Sequence, residues 1–250
     1  VNAYNAEHPL EFYHFFRDNG CQYLQFTPIV ERLTEHEDGR TLASLADVSY
    51  EDNYEDVGNA KKQKENQEIT IADFSVTSEQ WGKFLCTIFD DWVRHDVGKI
   101  FVEIFDCTLA NWVGVQPGIC AYSKECGHAG VMEHNGDVFS CDHFVFPEYK
   151  LGNIQDKSLI DMLYGEKQQA FSRLKHTSLP RQCKECDMEF ACHGECPKNR
   201  FENDKYGEPG LNYLCKGYYE YYTHVAPYMD FMKRELQAQR PPANIMNVLK

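Results

Sequence analysis

The sequence predicts an α/β fold: the C-terminal part of a partial (β/α) barrel over residues 1–115, then, over 116–250, a small α+β domain that holds metal through cysteine. Three observations carry that reading. Segments of helical and strand character alternate through the first 115 residues. Beyond Gly114 the texture turns to cysteine, glycine and short strands. Finally, Cys183, Cys186, Cys192 and Cys196 follow one another as C-x2-C-x5-C-x3-C, with Cys215 further on. Thiols so close, punctuated by Gly194 and Pro197, are soft-metal ligands on tight turns, and zinc and iron–sulfur both satisfy that chemistry. A disulfide knot belongs instead to small secreted domains.

Residues 7–18 suit a helix, with Pro9 in the first turn and Gly20 just past the end. Residues 22–29 follow as a strand. With Val1-Asn2 read as the end of an earlier strand, this is a βαβ unit, which implies a parallel sheet. Gln25 projects from that strand and is a candidate cofactor contact in the barrel interior. From Glu31 to Glu68 eleven acids face five bases with few large apolar residues, the composition of a solvated loop or insertion. Thr77-Ser-Glu-Gln80 fits a capping box, and Trp81, Phe84, Leu85, Ile88, Phe89 and Trp92 recur at helical spacing in a helix ending near Gly98. Residues 100–105 form the next strand, and Asp106 caps a short helix through Trp112. These strands are too few for a closed eight-stranded barrel.

In the second half, residues 131–141 form a hairpin on a type I′ turn at Asn135-Gly136. Residues 158–164 and 166–175 read as short helices. The last helix spans 211–239, where Tyr218, Tyr219, Tyr221, Tyr222, Tyr228 and Phe231 read as packing.

Composition narrows the function. A formal charge of −14 argues against a nucleic-acid partner. Apolar runs are short and broken by charge, so no membrane span is expected, and Val1-Asn-Ala-Tyr-Asn5 has no signal-peptide character. Eleven cysteines without an export signal indicate the reducing cytoplasm and metal-bound thiolates. The chain opens on Val rather than Met, as a piece of a longer protein would.

Cys120, Cys126 and Cys141 add three thiols upstream, making eight in all, or two sets of four. Two [4Fe–4S] clusters or two zinc ions fit that count. Because the thiols divide three and five, one downstream cysteine must cross to the upstream set. Cys21, Cys86 and Cys107 read as buried core thiols.

The pattern Cys126-x9-Gly136-x4-Cys141, followed by C-x2-C-x5-C-x3-C and a last Cys215, resembles the SPASM domain of radical S-adenosylmethionine enzymes. Cys120-x5-Cys126, the run from Glu133 to Pro147 with nearby Tyr149, the segment 151–154 and the segment 211–215 look like the anaerobic sulfatase-maturating enzymes. The likeness covers most of the chain, including residues 22–26 and 75–81. It implies an oxidoreductase that converts a Cys or Ser of a sulfatase to Cα-formylglycine by means of a 5′-deoxyadenosyl radical. Cys120, Cys126, Cys141 and Cys196 would hold a first auxiliary [4Fe–4S] cluster, and Cys183, Cys186, Cys192 and Cys215 a second. The intact enzyme would add S-adenosylmethionine and a third [4Fe–4S] cluster. An unfolded or nascent sulfatase is the implied substrate, and a flavodoxin or ferredoxin the implied electron-transfer partner. Asp142 matches the family's general base: once hydrogen leaves the substrate's β-carbon, the thiol or hydroxyl must lose a proton, which a carboxylate within reach can take.

The departures matter too. The family's C-x3-C-x2-C motif is missing: Cys192 and Cys196 supply a C-x3-C, but Asn199 stands in the third place. The family's N-terminal half-barrel, ahead of Val1, is also missing. As given, the chain is not expected to initiate radical chemistry by itself. Glu195 stands where relatives usually carry Gly, which loosens the expected turn before Cys196. Two other readings stay open. One is a SPASM-type radical peptide maturase forming thioether or carbon–carbon crosslinks, against which Cys120-x5-Cys126 and the Cys141-Asp142 pair stand. The other is a zinc-stabilised binding scaffold.

Overall fold

The computed structural model describes residues 1–35, 41–44 and 70–249. In chain order the helices are α1 (Pro9–Asp18), α2 (Ser78–His95), α3 (Glu103–Val113), α4 (Leu159–Leu163), α5 (Glu166–Thr177), α6 (Arg181–Lys184), α7 (Glu189–Cys192), α8 (Cys215–Gln237) and α9 (Ile245–Val248). The strands are β1 (Tyr23–Leu24), β2 (Arg32–Glu35), β3 (Thr41–Ser44), β4 (Thr70–Ile71), β5 (Phe101–Val102), β6 (Val131–Met132), β7 (Asp137–Phe139), β8 (Lys150–Asn153), β9 (Glu202–Asn203) and β10 (Pro209–Leu211). Packing groups them into two units. One joins Val1–Ile29, Phe74–Lys124 and Leu179–Lys250; the other joins Val30–Asp73 and Glu125–Ser178. This division differs from the expected boundary after residue 115, because α8, far downstream, packs along α2 and α3.

In the first unit, α2 begins as its capping box dictates. Gln80 N–H donates to Thr77 Oγ1 (3.2 Å) and Thr77 N–H to Gln80 Oε1 (3.1 Å), satisfying two otherwise orphaned donors. Its apolar stripe, Trp81 through Trp92, is buried. The facing side of α8 supplies Tyr218, Tyr221, Tyr222, Val225, Met229 and Met232, all buried. Aromatic rings meet edge-on, Phe89 of α2 with Phe105 of α3 at 5.2 Å and Trp81 of α2 with Tyr218 of α8 at 6.2 Å between centroids. The α8 aromatics are thus packing, except that Tyr219 is exposed. β1 and β5 pair in parallel, Tyr23 opposite Phe101 and Leu24 opposite Val102.

Both parallel strands are shorter than expected. The second gives way at Glu103 because Ile104, Phe105, Cys107, Thr108 and Trp112 bury one helical face. Asp106 therefore lies inside α3 and does not cap it; the helix ends instead on Gly114, in the left-handed conformation (φ 78°). Likewise α8 starts at Cys215, since Leu211 belongs to β10.

In the second unit, β2 pairs antiparallel with β3 and with β4. The acidic segment expected to be a loop thus carries strand at 32–35 and 41–44, while 36–40 and 45–69 lie outside the described residues. β7 lies between β6 and β8. The hairpin turn is not type I′. Gly136 N–H donates to Glu133 O (2.9 Å), so His134 and Asn135 are the corner residues, and only Gly136 takes positive φ (86°). That is a three-residue loop closing on a left-handed glycine. Ser158 caps α4 through Asp161 N–H (3.1 Å). Phe144, Tyr149 and Phe171 form a small buried core. No helix among the described residues is long and apolar enough to cross a membrane.

Candidate metal centre

In the first unit, α6 carries Cys183, and Cys186 N–H donates back to Cys183 O (3.1 Å), closing a tight turn between the two thiols. α7 ends on Cys192 and α8 opens on Cys215. Cys183, Cys186, Cys192 and Cys215 line one cavity of about 450 Å³, together with Met188 and Tyr222. Burial pushes the Cys183 thiol up to about 11 and the Cys215 thiol up to about 12, and raises Cys186 and Cys192 as well. A bound cation would offset the cost of ionising such buried thiols.

The spacing of the sulfurs bears on which cation. Four thiolates 2.3 Å from one zinc stand about 3.8 Å apart. Among the described residues, no three of these four sulfurs lie within 4.8 Å of one another. A larger iron–sulfur group, with one iron for each thiolate, fits the donor set and the cavity better.

After Cys192 the chain reverses through three consecutive left-handed residues, His193 (φ 49°), Gly194 (66°) and Glu195 (53°). The turn is not loosened by Glu195. Arg200 Nη2 donates to His193 O (2.8 Å) and Glu195 O (2.9 Å), and Arg200 Nε to Gly194 O (2.9 Å), so one guanidinium clamps all three carbonyls. Nothing in the spacing of the motif pointed to Arg200, because its partners are backbone oxygens.

The other expected thiol set is divided: Cys120 and Cys196 belong to the first unit, Cys126 and Cys141 to the second. Within the second unit, α5 holds the loops of Cys126 and Cys141. Cys126 N–H donates to Ser172 O (3.3 Å) and Gly127 N–H to Ser172 Oγ (2.9 Å). Gln168 Nε2 donates to Gly127 O (2.9 Å) and Ser140 O (3.2 Å). Gln168 and Ser172 escaped sequence reasoning; their signal is two polar residues one turn apart on a helical face that is buried. Cys126 and Cys141 also pack on the Phe144–Tyr149–Phe171 core.

Asp142 is exposed beside Cys141, whose Sγ donates to Asp142 Oδ1 (3.2 Å). Partial burial opposes its ionisation, but that hydrogen bond, His143 and backbone N–H groups outweigh it and hold the carboxyl below its ordinary value. Cys141, Asp142 and His143 bring one ligand atom each within 4.8 Å of one another. Gln25 lies exposed just beyond β1. Of the three cysteines expected in the core, Cys107 is buried, whereas Cys21 and Cys86 are only partly so.

A family model described as an iron–sulfur cluster-binding domain, SPASM, matches residues 124–187. The chain is 62% identical to a serine-type anaerobic sulfatase-maturating enzyme of Bacteroides thetaiotaomicron, across all of this chain and 56% of the relative. It is 24% identical to a cysteine-type anaerobic sulfatase-maturating enzyme of Clostridium perfringens, across 91% of this chain and 53% of that one. The chain therefore spans little more than half the length of these curated relatives. Among solved structures, native anSMEcpe with bound AdoMet and Cp18Cys peptide shares its fold, with a TM-score of 0.69 at 22% identity over 94% of this chain and 56% of that one.

Proposed function

We propose that this chain, which is similar to the SPASM-domain anaerobic sulfatase-maturating enzymes, is the auxiliary-cluster and proton-accepting portion of such an enzyme. The cavity lined by Cys183, Cys186, Cys192 and Cys215 is the observation that carries the reading. On this reading those four thiolates hold one [4Fe–4S] cluster, and Cys120, Cys126, Cys141 and Cys196 hold another. When bound, the clusters supply a route for the electron that substrate oxidation releases, and S-adenosylmethionine, with a third cluster, supplies the hydrogen-abstracting radical in the whole protein. The C-x3-C-x2-C motif for that third cluster is not among these 250 residues, so the activity is proposed of the whole protein and not of this chain alone.

The residues of the chain itself have simpler tasks. Asp142 accepts the proton of the substrate hydroxyl or thiol, as its exposure beside Cys141 allows. Gln25, exposed at the carboxyl end of a parallel strand, stands where α/β folds gather ligands and is proposed to face S-adenosylmethionine. The 62% identity to a serine-type relative supports serine as the residue oxidised. A sulfatase polypeptide is then the substrate and a flavodoxin- or ferredoxin-like protein the electron partner. Reduced thiols of this number suit the cytoplasm.

Asp142→Asn in the whole protein tests the reading, because it keeps shape and removes proton affinity. A positioned base contributes about 10²–10⁴-fold, or roughly 3–5 kcal/mol of barrier. Formylglycine should fall by that order while 5′-deoxyadenosine continues to form at unchanged iron content. Products that stay coupled at normal turnover would refute the role.

A further inference from the structure

Glu195 is costly where it stands. A left-handed φ of 53° brings a non-glycine residue's Cβ against its own backbone, a strain that glycine would not incur. The residue is also buried, with 5% of its surface exposed. The turn alone would favour glycine, so the side chain answers to something else.

That something is Asn212. Its Nδ2 donates to Glu195 Oε2 (2.9 Å, buried) and reaches Cys196 O (3.4 Å). On its other side, Asn212 Oδ1 accepts the N–H of Leu214, the residue capping α8 (2.8 Å), and Asn212 O accepts the N–H of Cys215 (2.9 Å). Glu195 N–H in turn donates to Cys192 O (2.9 Å). A continuous hydrogen-bonded path thus runs from the Cys192 carbonyl through Glu195 and Asn212 to the Cys215 amide, joining the backbones of two residues whose thiols line one cavity and that are distant in sequence. It touches Cys196, assigned to the other set, on the way.

We propose that Glu195 is a positioning residue whose carboxylate, through Asn212, fixes Cys215 and Cys196 relative to Cys192. The inference rests on the reading that Cys183, Cys186, Cys192 and Cys215 hold an iron–sulfur cluster. A bridge needs an acceptor at Glu195 and a donor at Asn212. Glu195→Gln keeps the acceptor, whereas Glu195→Gly removes it and at the same time relieves the backbone. Asn212→Asp loses the donor and sets two carboxylates face to face.

The two views of Glu195 therefore give different outcomes for Glu195→Gly. A mere turn residue leaves the variant as well loaded as wild type. A bridge gives at least tenfold faster iron loss to a chelator and an altered electron paramagnetic resonance signal from one cluster, with thermal unfolding of the metal-free protein unchanged. Asn212→Asp should speed iron loss at least as much as Glu195→Gly while also lowering the melting temperature of the metal-free protein, and Glu195→Gln should stay within about threefold of wild type. Wild-type rates in Glu195→Gly would overturn the proposal, as would a Glu195→Gln variant as impaired as Glu195→Gly. Alkylation of Cys192 and Cys215 in the metal-free protein separates this from the cluster reading. A wild type that takes up no iron sinks that reading, yet the bridge still demands at least tenfold faster alkylation in Glu195→Gly, and equal rates would refute it.

Discussion

Gly217→Ala is the sharpest probe of how the fold sets the metal cavity. Gly217 lies in the first turn of α8, just after Cys215, where that helix crosses α2. A Cβ there would stand 2.0 Å from Ser78 O and 2.9 Å from Gly82 N, both backbone atoms that cannot rotate away. Ordinary contact begins at 3.4 Å, so the helices must part by more than an ångström locally. Parting them also strains the bond from Gly217 N–H to Ser78 Oγ (2.8 Å), which satisfies a buried helix-end donor. Overpacking costs about 1–3 kcal/mol and the lost hydrogen bond about 1–3, offset by about 1 from the better helix propensity of alanine, leaving roughly 3 kcal/mol of net destabilisation. Urea unfolding of the metal-free protein, followed by tryptophan fluorescence, measures this directly. Iron content after reconstitution reports whether Cys215 has moved. Gly118→Ala, with open space around it, is the neutral control. A Gly217→Ala protein within about 0.5 kcal/mol of wild type, and fully loaded, would refute the close-crossing argument.

Two further outcomes follow from local chemistry. Thr77→Ala removes half of the capping box of α2 and should cost about 1 kcal/mol in the same unfolding assay; a neutral result would mean that the box is not stabilising. Arg240 and Asn244 hold the Glu235 carboxyl at about 2, against an ordinary 4.5, so this group's stabilisation is present above 4.5 and drains away as pH falls toward 2. The melting-temperature gap between wild type and Glu235→Gln should therefore narrow across that acid window, and a constant gap would contradict the linkage.

What the sequence disclosed and what it hid divide along locality. The capping box of α2 was legible because Thr77 and Gln80 bond each other. The grouping of Cys183, Cys186, Cys192 and Cys215 around one cavity was legible because soft-metal sites need sulfur at close spacing. The start of α8 was not, since what marks it off is the strand at Pro209–Leu211 and the bonds of Asn212 to Leu214 and Cys215. The strand expected over 100–105 shrank to Phe101–Val102 for a related reason: an apolar run suits either period until burial against α8 selects the helix from Glu103 on. The turn at Asn135-Gly136 misled because the dipeptide serves more than one hairpin loop. Arg200, Gln168 and Ser172 stayed invisible because they recognise backbone carbonyls and amides, which every residue offers.

Iron and acid-labile sulfide per chain, measured on anaerobically purified protein, test the central claim most directly. Two four-iron clusters on eight thiolates require roughly eight of each, in a brown protein. A colourless protein carrying stoichiometric zinc, with no sulfide, would contradict it.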